Sequence, residues 1–157
     1  MAPTLDIYTD ILEPWGSHLS GDPRIGGRDI RVLFSINEPE EIDIQMMPYV
    51  KYFLERNWID DAVGSGSYSP QARRLVVRLG FLLAVANQDS GQLAKDLFLI
   101  GGDLIYIVRE RRNFNATKSI VGGDKMVWDF DSIGVETIGQ IGTQKISFTM
   151  ELFANVN

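Results

Sequence analysis

The chain has no cysteine and a single histidine, His18, among 157 residues. Without cysteine there is no disulfide framework, no thiolate nucleophile and no zinc–thiolate site. Ser17 and His18 are neighbours in sequence, whereas the members of a catalytic triad meet through the fold, so His18 is not read as catalytic. Apolar runs long enough to span a membrane, ~20 residues, are missing, and the first residues carry no signal-peptide pattern. The glycines of IGG, VGG and IGQIG form no phosphate loop: no Gly-Lys-Ser/Thr follows them, and GxGxxG is absent. A basic balance is missing too. The net charge is -6, so a protein that grips nucleic-acid phosphates is not indicated. With no catalytic set, no cofactor motif and no regular metal-ligand spacing, an enzyme is not expected.

What is present is a large apolar fraction, 45%, enough for one well-packed domain spanning 1–157. The strongest pattern is RRLVVRLGFLLAVAN at 73–87. Leu75, Val77, Leu79, Phe81, Leu83 and Val85 fall on alternate positions, the period of a strand with one face buried. Arg74, Val76, Arg78, Gly80, Leu82 and Ala84 form the other face, charged at its start and apolar at its end, which predicts cover on both sides of the second half.

The rest is arranged around that strand. Leu5, Tyr8, Leu12 and Trp15 recur at helical spacing and predict a short helix over 4–12, ended or kinked by Pro14, within an N-terminal segment 1–20. Residues 21–28 read as a loop. Strands are expected within 29–58, at 30–36 and 47–58, the second opening on Pro48. Residues 60–70, DDAVGSGSYSP, have loop composition and would link it to 73–87 as an antiparallel pair. A main helix is expected over 89–112. Asp89 and Gln92 resemble a capping box, and Leu93, Leu97, Ile100, Leu104, Ile107 and Val108 share one face. Gly101-Gly102 suggests close approach of another backbone or a break into two helices. A C-terminal hairpin is expected over 125–156. Its strands lie at 125–131 and 145–154, joined by a flexible glycine-rich loop over 132–143. The fold class is therefore α+β: a mostly antiparallel sheet, a long helix packed on one face and a short N-terminal helix.

Two features bear on function. Phe98, Ile105 and Tyr106 lie off the main stripe of the long helix, near Arg109. That surplus points to a subunit interface formed by Phe98, Ile105, Tyr106 and Arg109. Charge is also uneven. Residues 1–70 hold twelve Asp/Glu and five Lys/Arg, and 71–157 hold nine and ten. The acidic run NEPEEID contains Glu38, Glu40, Glu41 and Asp43. Such crowding favours a solvated loop, and an acidic surface can face DNA as a repelling wall. Asp129 and Asp131 share one face of their strand and read as solvated carboxylates, with a cation site the lesser reading.

The order of elements resembles the tail terminator proteins of long-tailed, siphovirus-like bacteriophages. The pieces that carry the resemblance are MPYVKYFLE at 47–55, RRLVVRLGFLLAV at 73–85, the helix from Asp89, and IGTQKISFTMELFANV at 141–156. Residues 21–43 form a longer segment than the smaller members have. The resemblance implies a structural virion protein of the tail and neck, assembled in the host cytoplasm. It implies a homo-hexameric ring that caps the tail-tube protein and docks to a head–neck connector protein. DNA would pass through the lumen without sequence-specific contact, and no membrane or cofactor would be involved. On this reading, the loops around Asp60, Tyr68 and Ile138 are candidates for docking partners. Glu38, Glu40, Glu41 and Asp43 are candidates for the DNA-facing wall. The alternatives are another head–tail connector or a tail-tube protein of the same virion, or a small-ligand-binding α+β domain.

Overall fold

A computed structural model describes residues 6–60, 72–110 and 129–155. Five strands form one sheet: β1 (Arg31–Phe34), β2 (Tyr49–Asp60), β3 (Ala72–Ala86), β4 (Asp129–Ile138) and β5 (Ile141–Asn155), in the spatial order β1-β2-β3-β5-β4. Only β1–β2 is parallel; the other three pairings are antiparallel. Two helices, α1 (Glu13–Gly21) and α2 (Ser90–Glu110), pack on the same face. The class is α+β with a mostly antiparallel sheet. No helix among the described residues is long and apolar enough to cross a membrane.

β3 is the centre of the sheet, paired along nearly its whole length with β2 on one side and β5 on the other. All six residues of its predicted inner face are buried, from Leu75 to Val85. They share one core with Ile146, Phe148 and Met150 of β5 and with Leu93, Leu97 and Leu104 of α2. From α1, Trp15 adds an aromatic plug. Its ring meets Phe81 and Phe148 edge-on at 6.1 and 5.6 Å, and its indole N–H donates to the Met150 sulfur at 3.3 Å. Each aromatic thus fills volume while the one polar tip is satisfied.

The N-terminal helix is longer than the sequence pattern predicts. A π-helical turn, Tyr8–Leu12, runs directly into α1 and continues past Pro14 to Gly21. Pro14 is the second residue of α1, directly after the π turn. The wide turn before it relieves crowding between the proline ring and the preceding carbonyls. The burial of Ile11, Leu12, Trp15 and Leu19 against the sheet then outweighs the proline.

α2 matches its predicted stripe residue for residue and is unbroken at Gly101-Gly102. Asp89 caps it by accepting from the N–H groups of Gly91 and Gln92, at 2.8 and 3.1 Å. The reciprocal half of the capping box is replaced: the Asp89 N–H donates to Asn87 Oδ1 at 2.9 Å, and the Gln92 amide donates to Asp96. Gly101 is explained by a side chain rather than a backbone: a Cβ there would overlap the Gln144 carboxamide of β5. Gly102 faces open space.

The C-terminal hairpin corrects the sequence reading. The segment 132–143, expected as a flexible loop, is mostly ladder. β4 runs on to Ile138, the turn is confined to Gly139-Gln140, and β5 begins at Ile141. Gly139 takes the positive φ of 62° that the tight turn requires. Ile133, Val135 and Thr137 supply the β-forming residues, and they outvoted the glycines. Of the strand expected at 125–131, residues 125–128 lie outside the described residues.

Candidate functional site

The face of the sheet opposite the helices carries a compact polar network. The ladder shifts register between Leu54 and Arg56, leaving Glu55 as the extra residue of a β-bulge. Glu55 accepts from Ser147 Oγ at 2.7 Å, from Arg78 Nε, and from Lys145 Nζ at 3.2 Å. Burial pushes its carboxyl up, but the hydrogen bonds from Ser147, Arg78 and Lys145 outweigh it and hold the pKa below the usual carboxylate value. Burial likewise lowers Lys145, and its bonds to Glu38 and Glu55 reverse the shift, leaving it raised. Glu55 and Lys145 therefore each prefer the charged form. A carboxylate stabilised as the anion and a lysine stabilised as the cation are poor proton shuttles at neutral pH, so the cluster reads as structural.

This network also holds the acidic segment. Glu38 reaches Lys145 at 2.8 Å, and the Asp43 N–H donates to Tyr49 Oη at 3.2 Å. The β1–β2 connection is thus pinned across the outer sheet face, where Tyr49, Phe53 and Ala84 are fully buried. Cover on both sides of the second half of β3 was predicted, and this connection helps supply it. All four wall candidates are exposed, and Glu38 is also paired with Lys145.

On α2 the four interface candidates separate. Phe98 and Tyr106 are 65% and 59% exposed, and Leu99 between them is 56% exposed. Arg109 is exposed one turn beyond. Ile105 departs from the expectation: it is half-buried and packs against the core of its own chain. At the flank of the stripe it is still within reach of the sheet. Of the candidate docking loops, Asp60 is instead the last residue of β2, opposite Arg74, and Ile138 closes β4 opposite Ile141. Tyr68 lies outside the described residues. His18 stacks edge-on against Trp15 at 5.8 Å. Asp129 lies in β4 opposite Thr149, and Asp131 lies at the register shift between Phe130 and Ser132.

One surface escaped the sequence reading. At the β1 edge, Tyr8, Phe34 and Ile36 are exposed together with a short aromatic stack. Tyr8 meets Phe34 at 5.3 Å, and Phe34 meets Tyr52 at 5.5 Å. The available signal was the phase of Val32, Phe34 and Ile36, which continues the inner face of the sheet beyond the point where helices cover it.

A cleft of about 340 Å³ lies at the end of the sheet between Ile30, Pro48, Val85 and Ile100. Its charged side chains have partners within the fold: Arg28 bonds Asp103 at 2.8 Å, and Asp96 accepts from Gln92. Among the described residues no group of three or more His, Asp or Glu side chains is placed to hold a metal ion. No protein-family model matches the chain, and no curated protein matches it.

Proposed function

We propose that this chain is a structural subunit of a long-tailed bacteriophage virion, the tail terminator. In this reading it closes into a homo-oligomeric, hexameric ring that caps the tail tube and joins the tail to the head–neck connector. DNA passes through the lumen. The observation that carries the reading is the exposed apolar face of α2. Phe98 and Leu99, and Tyr106 about two turns on, are exposed on the side of α2 turned away from the core of their own subunit. An exposed apolar face of this kind marks an association surface. Among the described residues β1 and β4 are the edge strands, one at each side of the same sheet, and an edge strand offers backbone groups for pairing. The exposed carboxylates of Glu40, Glu41 and Asp43 suit a passage that repels DNA rather than binding it.

A tube protein or another connector of the same virion would use the same surfaces. Closure separates them, since a head-to-tail contact that closes gives a ring and one that does not gives a filament. The ligand-binding alternative has the Ile30–Pro48 cleft in its favour, but the charged groups there are already paired. Sedimentation and negative-stain imaging, with and without purified tail tubes, test the proposal. Closed rings, alone or on tube ends, are expected. Growing filaments would assign the chain to the tube. A monomer that also ignores tube ends would remove the virion reading.

A further inference from the structure

The subunit carries two separate exposed apolar patches, one at the β1 edge and one on α2, and their charged rims have opposite signs. Around Tyr8 and Phe34 the neighbours are acidic. Asp6 bonds the Tyr8 and Thr9 N–H groups, and Glu13 is exposed. Burial, then the nearby Tyr8 hydroxyl and Glu13 carboxylate, push the Tyr52 hydroxyl up, which places Glu13 beside the aromatic stack. Around Phe98, Leu99 and Tyr106 the exposed charged residues are Lys95, Arg109 and Glu110. Glu110 pairs with Arg24, whereas Lys95 and Arg109 form no ion pair among the described residues, which leaves this rim net positive.

The patches also look in different directions. Arg28–Asp103 and Arg24–Glu110 tie one flank of α2 to the segment that leads into β1, at 2.8 and 2.6 Å. At 100° per residue, Phe98 lies more than a quarter-turn beyond Asp103 and Glu110, with Leu99, Gly102 and Tyr106 on the solvent side between. β1 closes one edge of the sheet, while α2 contacts β3 and β5 toward the other.

We infer that the Tyr8–Phe34–Ile36 patch is the seat for the Phe98–Leu99–Tyr106 face of α2 from a second copy of this chain, joined head to tail. The inference rests on the ring reading and names the two surfaces that would meet in it. Face-to-face pairing of two α2 helices is disfavoured by charge. An antiparallel crossing centred on Gly102, the open position, would set Lys95 against Arg109 of the other copy. Seating α2 on the β1 edge instead brings Lys95 and Arg109 toward Asp6 and Glu13, so the rims attract and fix the register.

Two aspartate variants test the pairing, because both positions are exposed: Ile36→Asp in the seat and Leu99→Asp on the helix. Each alone should self-associate at least ~30-fold more weakly than the wild type, with an unchanged circular dichroism spectrum. Mixed in equal amounts they should form a two-chain particle, since one intact seat and one intact face remain between them. If Ile36→Asp assembles like the wild type, the seat is wrong and the ring reading stands. If the mixture stays monomeric, the contact is not seat to face. If the wild type is itself monomeric and leaves tube ends bare, the ring reading and the seat fall together. Should either aspartate variant unfold, Glu13→Lys replaces it. It should weaken association, and a partner carrying Lys95→Glu with Arg109→Glu should restore it. No effect of Glu13→Lys overturns the pairing.

Discussion

Gly101 and Gly102 are adjacent in α2, yet alanine should move stability in opposite directions at the two sites. An alanine in a helix interior is worth about 1 kcal/mol over glycine. At Gly102 nothing stands near the added methyl, so Gly102→Ala should stabilise the monomer by about 0.5–1 kcal/mol. At Gly101 the same gain meets the Gln144 carboxamide, which lies inside contact distance of the new Cβ and is itself 4% exposed. Overpacking a buried site costs about 1–3 kcal/mol. Gly101→Ala should therefore be destabilising by up to about 2 kcal/mol. The carboxamide oxygen of Gln144 has no hydrogen-bond partner among the described residues, so its side chain loses no bond on moving but has little room to move into. Truncating it as Gln144→Ala removes the obstruction, and in that background Gly101→Ala should become stabilising. Denaturant midpoints at dilute, monomeric concentration read all four corners of this double-mutant cycle. In a chain of this size 1 kcal/mol corresponds to roughly 2–4 °C in Tm, enough to resolve. Equal stabilisation by both alanines, or no coupling between Gly101 and Gln144, would refute the packing argument.

Phe148 is fully buried, with Phe81 at 5.1 Å and Trp15 at 5.6 Å, so Phe148→Ala should cost roughly 3–5 kcal/mol in equilibrium unfolding; a loss under 1 kcal/mol would place the core elsewhere. Ile105→Asp should lower the denaturation midpoint of the dilute monomer, because Ile105 packs against its own core; an effect on assembly alone would mean the side chain faces outward. The Glu55 carboxyl is depressed in the folded state, so its contribution to stability is present above the unfolded pKa, ~4.3, and is lost as pH falls through the lower folded value. Glu55→Gln should therefore flatten the acid limb of the stability–pH profile and leave Arg78 and Lys145 less well satisfied near neutrality; an unchanged acid limb would remove Glu55 as the source.

The elements whose hydrophobic period is long and clean were legible in the sequence. β3 and α2 each show six apolar residues on one phase, and the burial of those residues follows the phase. Elements with a local signal that competes with packing were misread. Pro14 reads locally as a helix stop or kink, and the helix continues past it because the apolar contacts of Trp15 and Leu19 lie beyond. The glycines at 134, 139 and 142 looked like a loop, but only Gly139 has a positive φ, and Gly142 lies under Leu97 in the ladder. The network at Glu55 needed the bulge and three strands in register, a relation among residues 23 and 92 positions apart that no local window contains. The α2 surplus was visible as residues off the main stripe. Separating Ile105 from Phe98 and Tyr106 required knowing where the sheet lies beneath the helix.

The π turn ahead of Pro14 has a consequence for length variation. It holds one residue more than the α-helix needs to reach the same seats, since Glu13 bonds back five positions to Tyr8. Removing one residue from 8–12 would let the turn relax to ordinary α spacing while Trp15 and Leu19 keep their places. The deletion would, however, set the Pro14 ring against a regular α turn, a penalty of about 3 kcal/mol. Shortening this segment should therefore be tolerated only together with replacement of Pro14. A deletion at the middle of α2 has no such remedy, because it would rotate half of the buried stripe off the sheet.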